Sequence, residues 1–165
     1  MTTLFDDLSS ALRLAGQPRP LFEALDRLTG AVVGHQLFTL LVVDGDEVAR
    51  VYSNRPVEYP VSGRKPMGPT PWGDRVLRQQ MPFLGRTRAE IRWAFFDHVL
   101  IESMGLGSVI NVPVVYNGKT LGTMNLLDVE HRYSEEHLAM MLPVVPYLIP
   151  AFLGQQGDSR DPLSS

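Results

Sequence analysis

Apolar residues recur at helical spacing twice at the start of the chain, first at Leu4, Leu8, Ala11, Leu12 and Ala15, then at Leu21, Leu25, Leu28 and Val32, with Gly16, Pro18 and Pro20 between them. Steps of three and four residues put each set on one helix face, so two helices with a break are expected. From Phe38 the period changes. FTLLVVDGDEVARVYSN holds two β-branched runs around Asp44, Gly45 and Asp46 and predicts a hairpin. SVINVPVVYNGKTLGTMNLLDV predicts a second one, with Asn117 and Gly118 supplying the left-handed conformations of its turn. Between the hairpins, residues 55–71 hold five of the 13 prolines and read as a long shaped loop without a regular ladder. PWGDRVLRQQ then reads as a short helix, MPFLG as a strand, and TRAEIRWAFFDHVLIESMG as one helix capped by Thr87 and stopped at Gly105. Ser134, with Glu135 and Glu136 behind it, opens a closing helix that Pro143, Pro146 and Pro150 must kink or end. The expected organisation is an N-terminal helix over residues 1–18, one domain over 19–154 and a disordered tail over 155–165.

Composition narrows the chemistry. The 165 residues are 44% hydrophobic and 20% charged, enough apolar matter for a core. There is no cysteine, which excludes disulfides, thiolate metal sites, cysteine nucleophiles and cysteine-tethered chromophores. The N-terminus lacks a basic segment followed by an apolar run, so no secretory signal is read and a cytoplasmic location is expected. Residues 138–153 are apolar but fall short of the ~20 residues of a spanning helix and contain three prolines; burial in protein, not in a membrane, is expected.

The net charge of −3 is unevenly spread: residues 50–92 contain nine basic side chains against three acidic ones. That segment, with Arg64 as its candidate cation, could attract a carboxylate or phosphate, or it could be a solvated face paired with acidic neighbours. No aromatic–basic ladder accompanies it, so nucleic acid is not an expected partner. Trp72, with Phe95 or Phe96, suits an apolar pocket wall; ordinary packing is the alternative, and the favoured one for Trp93. Asn125 interrupts an apolar strand, and alternation sends Thr123, Asn125 and Leu127 to one face, where a buried amide needs a partner. Asn111 invites the same argument without revealing its face. The four histidines show no metal spacing; His98 with Glu102 four residues on could form a pH-sensitive pair or remain structural. No phosphate loop, nucleophile elbow or base–orienter pair is visible, so an enzyme is not expected.

The order helix, helix, hairpin, loop with two helices, hairpin, helix resembles a GAF domain. So do Ser108, Val112 and Pro113, Gly118, Leu121 and Gly122, and Tyr133, Ser134, Glu135 and Glu136. The resemblance implies an α+β fold with a central antiparallel sheet of five to six strands, terminal helices on one face and pocket-covering loop helices on the other. Laid on this chain, the ligand-contacting positions of cyclic-nucleotide-binding members fall on Thr39, Tyr52, Ser53, Glu102, Leu106 and Asn125. The signature of those members falls on Asp128, Val129, Tyr133, His137 and Leu138, where only the aromatic is approximated, so a cyclic nucleotide is not expected. The cofactor stays unknown. The implied function is a stand-alone sensory domain that binds a small anionic or polar-aromatic ligand and signals through its terminal helices, as a homodimer, to a protein on a separate chain. The alternatives are a dimerising scaffold with a self-filled pocket and, after it, a small enzyme using the same pocket.

Overall fold

The computed structural model describes residues 3–159. Two helices, α1 (Leu4–Leu12) and α2 (Arg19–Val32), precede a hairpin of β1 (Leu37–Asp44) and β2 (Glu47–Ser53). A crossing segment carries β3 (Arg64–Pro66), a π-helical turn (Gly73–Arg78), β4 (Phe83–Gly85), α3 (Arg88–Ala94) and α4 (His98–Ser103). The second hairpin, β5 (Ser108–Tyr116) and β6 (Lys119–Asp128), leads into α5 (Glu135–Met141), a 3-10 turn (Val145–Leu148) and α6 (Ile149–Ser159). The six strands form one antiparallel sheet in the order β3-β2-β1-β6-β5-β4.

Period-2 alternation divides the core between the two faces of this sheet. Phe38, Leu40, Val42, Ile110, Val112, Met124 and Leu126 meet Leu8, Leu21, Phe22, Leu25, Met141, Leu148 and Phe152 of the terminal helices. Leu37, Leu41, Val109 and Leu127 meet Tyr59, Trp72, Val76, Leu77, Ile91 and Ile101 of the crossing segment. Coverage on both sides explains why β5 and β6 read as nearly unbroken apolar runs. The α+β layering expected from the sequence is the one observed.

Local chemistry sets the turns. Asn117 (φ 55°) and Gly118 (φ 75°) both take the left-handed conformation that a two-residue hairpin loop demands. At Gly122 a Cβ would collide with the Leu41 carbonyl and the Phe152 ring, so only glycine lets β1, β6 and α6 approach here. Pro113 lies past Asn111, the last residue of β5 paired with β4, and beside the register shift at Val114/Val115, where a missing N–H is tolerated.

Three expectations need correction. The single helix over residues 87–105 is two, because Phe95 is extended (φ −125°, ψ 138°) and turns its ring onto Trp72 and Phe83. The proline-rich segment is not ladder-free: Arg64–Pro66 pair with β2 and form one edge of the sheet. The tail expected over 155–165 is helical through Ser159, and its remainder lies outside the described residues. The stretch Glu135–Gln155, with a mean hydropathy of 1.6, is long and apolar enough by composition to cross a membrane, yet it docks Leu138, Met141, Val145 and Phe152 against the sheet.

Candidate functional site

A β-bulge decides which groups meet under the crossing segment. The β1–β2 register passes from Leu40↔Tyr52 to Leu41↔Arg50, leaving Val51 as an extra residue. Two residues apart on a regular strand share a face; across this bulge they do not. Tyr52 therefore packs among Phe22 and Phe38 under the terminal helices, while Arg50 joins Leu41 on the opposite face.

There Arg50 borders a small, partly open cavity of about 30 Å³, room for about two water molecules. Its floor is the sheet: Thr39 and Leu41 of β1, Asn125 and Leu127 of β6, and Asn111 of β5. Asn111 pairs with Asn125 across β5 and β6, and the register continues to Thr39 on β1. Asn111 Nδ2 donates to Asn125 Oδ1 (2.7 Å), and Asn125 Nδ2 donates to the Thr39 carbonyl and hydroxyl (both 3.2 Å). This amide row pairs Asn125 with Thr39 and Asn111 in the middle of a largely apolar sheet face and leaves only Asn111 Oδ1 of the three side chains without a protein partner.

The roof consists of Tyr59, Lys65, Trp72, Phe95, Asp97 and Ile101. The Lys65 ammonium lies 4.2 Å from the centre of the Trp72 ring and 5.5 Å from that of Phe95. Both distances permit cation–π attraction. Burial, with Arg50 adding repulsion, nevertheless pulls its pKa down to about 8 against the attraction of Asp97. Tyr59 donates its hydroxyl proton to Asp97 Oδ2 (2.6 Å), and burial together with that carboxylate pushes its own ionisation well up. Arg50 lies over the Tyr59 ring at 4.8 Å and donates from Nη1 to the Pro60 carbonyl (3.0 Å). Its pKa too is lowered by burial. Three buried polar atoms on cavity-lining residues have no protein partner: Arg50 Nε, Trp72 Nε1 and Asn111 Oδ1. Just outside, a cleft of about 230 Å³ is lined by Arg50, Arg64, Lys65, Thr70, Trp72 and Phe96 among others. Arg50, Lys65, Trp72, Phe95 and Asp97 border both spaces, with Lys65 and the Trp72 and Phe95 rings forming the partition.

The family model for the GAF domain matches residues 21–148. The chain belongs to the GAF domain family. GAF domains are small-molecule sensing and regulatory domains, and the layered sheet with its covered cavity is the form in which this member has it. The GAF domain of a phosphoenolpyruvate-protein phosphotransferase from Coxiella burnetii is similar in fold, with a TM-score of 0.78 at 14% identity over 94% of this chain and 93% of that one. The GAF domain of a two-component sensor histidine kinase from Bacillus halodurans gives 0.70 at 12% over 88% and 100%. Free methionine-R-sulfoxide reductase from Neisseria meningitidis, in complex with its substrate, gives 0.70 at 16% over 94% and 89%. No curated protein matches the chain.

Of the residues singled out in the sequence, this GAF domain brings Thr39, Trp72, Phe95 and Asn125 to the cavity and Arg64 and Phe96 to the outer cleft. The other four lie elsewhere. Tyr52 donates to Asp26 Oδ2 (2.6 Å) on the helix side of the sheet, and Ser53 Oγ accepts from the Arg55 N–H (3.1 Å). Glu102 is held by Arg92 Nε (2.7 Å), so it forms no pair with His98, and Leu106 is buried in the hydrophobic layer beneath the roof. Trp93 leans on Phe83 but is 57% exposed.

The basic segment resolves in the same way. Six of its nine cations are paired: Arg55 with Glu58, Arg64 with Asp44 and Glu47, Arg78 with Asp74, Arg86 with Glu135, Arg88 with Glu130, and Arg92 with Glu102. The field that remains at the site comes from Arg50 and Lys65. Arg50, Tyr59, Lys65 and Asp97 were not foreseen as site residues. The alternation of β3 would have separated Lys65, facing inward, from Arg64, facing its carboxylate partners, had so short a strand been visible in the sequence. Among the described residues no group of three acidic, histidine or cysteine side chains is placed to hold a metal ion.

Proposed function

We propose that this GAF domain binds a small anionic ligand in the space between the sheet and the Tyr59–Lys65–Trp72–Phe95–Asp97 roof, and that its terminal helices pass the occupied state to a partner protein on a separate chain. One observation carries the proposal: two cations, Arg50 and Lys65, share a small, partly open site with a single carboxylate, Asp97, and with unpartnered polar atoms on Arg50, Trp72 and Asn111. An anion that displaces the partition would enlarge the cavity into the outer cleft and accept from the Arg50 and Trp72 N–H groups together. Binding without turnover in the cytoplasm is part of the same proposal; the absence of cysteine leaves no thiol to act as nucleophile or reductant. A signal requires that one conformation bind better than another, and the roof supplies the two arrangements, with Lys65 in place or displaced.

Native mass spectrometry of gently purified protein, followed by a thermal-shift screen of metabolites, tests it. A co-purifying mass, or a screened anion that raises Tm, is the expected result. No bound mass and no shift with any compound would overturn it in favour of the second reading, a scaffold whose pocket is filled by its own side chains. That reading is supported by the 30 Å³ size of the cavity with Lys65 in place. Both readings include a homodimer through the terminal helices, which leave Phe5, Met140, Leu142 and Leu153 each at least 40% exposed.

A further inference from the structure

We propose that the ligand is a single-ring aromatic monocarboxylate bearing one hydroxyl or amino donor, a deepening that rests on the ligand-binding reading above. Charge sets the first term. Arg50 and Lys65 face Asp97 alone, so the site carries one uncompensated positive charge and one carboxylate neutralises it. A dianion would leave a negative charge in a poorly solvated space, and a neutral molecule would leave the positive one.

The unpartnered atoms set the second term. Arg50 Nε and Trp72 Nε1 are donors, and with the Lys65 ammonium they match a carboxylate's acceptor oxygens. Asn111 Oδ1 is an acceptor, its amide oriented by the bond that Nδ2 donates to Asn125. A ligand with acceptors only would leave that oxygen unpaired, so the molecule must also bring a donor for the floor of the cavity.

Size and shape set the third. The outer cleft of about 230 Å³ adjoins the cavity across the Lys65–Phe95 partition. An apolar cavity of roughly 150 Å³ holds benzene, so one substituted ring fits here. The Trp72 and Phe95 rings, with centroids 5.9 Å apart and tilted by 42°, offer a flat surface that suits a flat molecule.

Isothermal titration of the intact chain at pH 7 with 4-hydroxybenzoate, benzoate and 4-hydroxybenzamide tests the three terms separately. Expected is binding of 4-hydroxybenzoate about tenfold tighter than benzoate, and at least thirtyfold tighter than the uncharged 4-hydroxybenzamide. In Lys65→Met, which removes a charge from a crowded site and keeps the packing, the preference for carboxylate over amide is expected to shrink at least tenfold. Equal affinity for acid and amide would overturn the charge assignment, and equal affinity for benzoate and 4-hydroxybenzoate the donor assignment. If none of the three binds while a different molecule is found bound by native mass spectrometry, this inference fails and the sensor reading stands. If nothing binds at all, both fail.

Discussion

Lys65 is the residue on which the site turns, and its titration makes the claim measurable. Its folded pKa of about 8 lies below the ordinary lysine value because the ammonium is withdrawn from water and faces Arg50, with Asp97 only partly compensating. Between about pH 8 and about 10.4 the unfolded chain therefore holds more protons at this position than the folded one, so stability rises as pH rises through that window. Tyr59, the other titrating group facing Lys65, stays protonated throughout the window because burial and Asp97 push its ionisation up. Thermal melts from pH 7.5 to 10 should show that rise, and Lys65→Met should flatten it while raising stability at pH 7 by on the order of 2 kcal/mol, allowing for partial exposure of the residue. A flat profile in the parent protein would show the ammonium to be solvated. Asn125 gives a complementary test with the opposite sign. Replacing it with Ala deprives Asn111 Nδ2 and Thr39 of their partner in a buried row, and urea unfolding should show a loss of about 1–3 kcal/mol. Asn125 could be chosen from the sequence, since a lone amide in an apolar strand needs a partner. Lys65 could not, because nothing local distinguishes it from Arg64 next door.

At the level of elements, the two hairpins and the crossing segment hold together by different means. β1, β6 and β5 form long central ladders, whereas residues 55–71 contribute the three residues of β3 and flanking backbone hydrogen bonds to the β1–β2 hairpin at Ser62, Gly63 and Met67, and are held elsewhere by side chains against the sheet. Hydrogen exchange followed by mass spectrometry should find the 55–71 segment exchanging well before β1 and β6, as a movable roof requires; equal protection would argue for a rigid plug. The glycines rank in a way that tests the packing. Gly122→Ala drives a methyl into the Leu41 carbonyl and the Phe152 ring at the meeting of three elements and should cost about 3 kcal/mol, whereas Gly118→Ala in the exposed turn should cost about 1 kcal/mol for its left-handed φ of 75°. Both hairpins were legible because turn residues and alternation are local. The split of the 87–105 helix was not: its cause is the docking of Phe95 against Trp72 and Phe83, residues from elsewhere in the chain.

For the molecule as a whole, the sheet separates a helix-covered face, on which an assembly could form, from a roofed face that holds the site. Light scattering after gel filtration should give a dimer mass, and Leu142→Glu with Leu153→Glu should reduce it to a monomer without altering the ligand response; a parent chain that elutes as a monomer would remove the helical interface from both functional readings. The amino-acid sequence by itself determined most element types, both hairpins and the exclusion of thiol chemistry, since periodicity, turn residues and side-chain inventory are properties of neighbours along the chain, while the layering was implied by the resemblance to the GAF family. Only the tertiary structure decided which cations face the cavity. A one-residue bulge at Val51 sends Arg50 and Tyr52 to opposite faces, and six of nine cations in the basic segment are neutralised by carboxylates, four of them by partners at least ten positions away in the sequence. Face and charge balance are set by pairing at a distance, which no local pattern encodes.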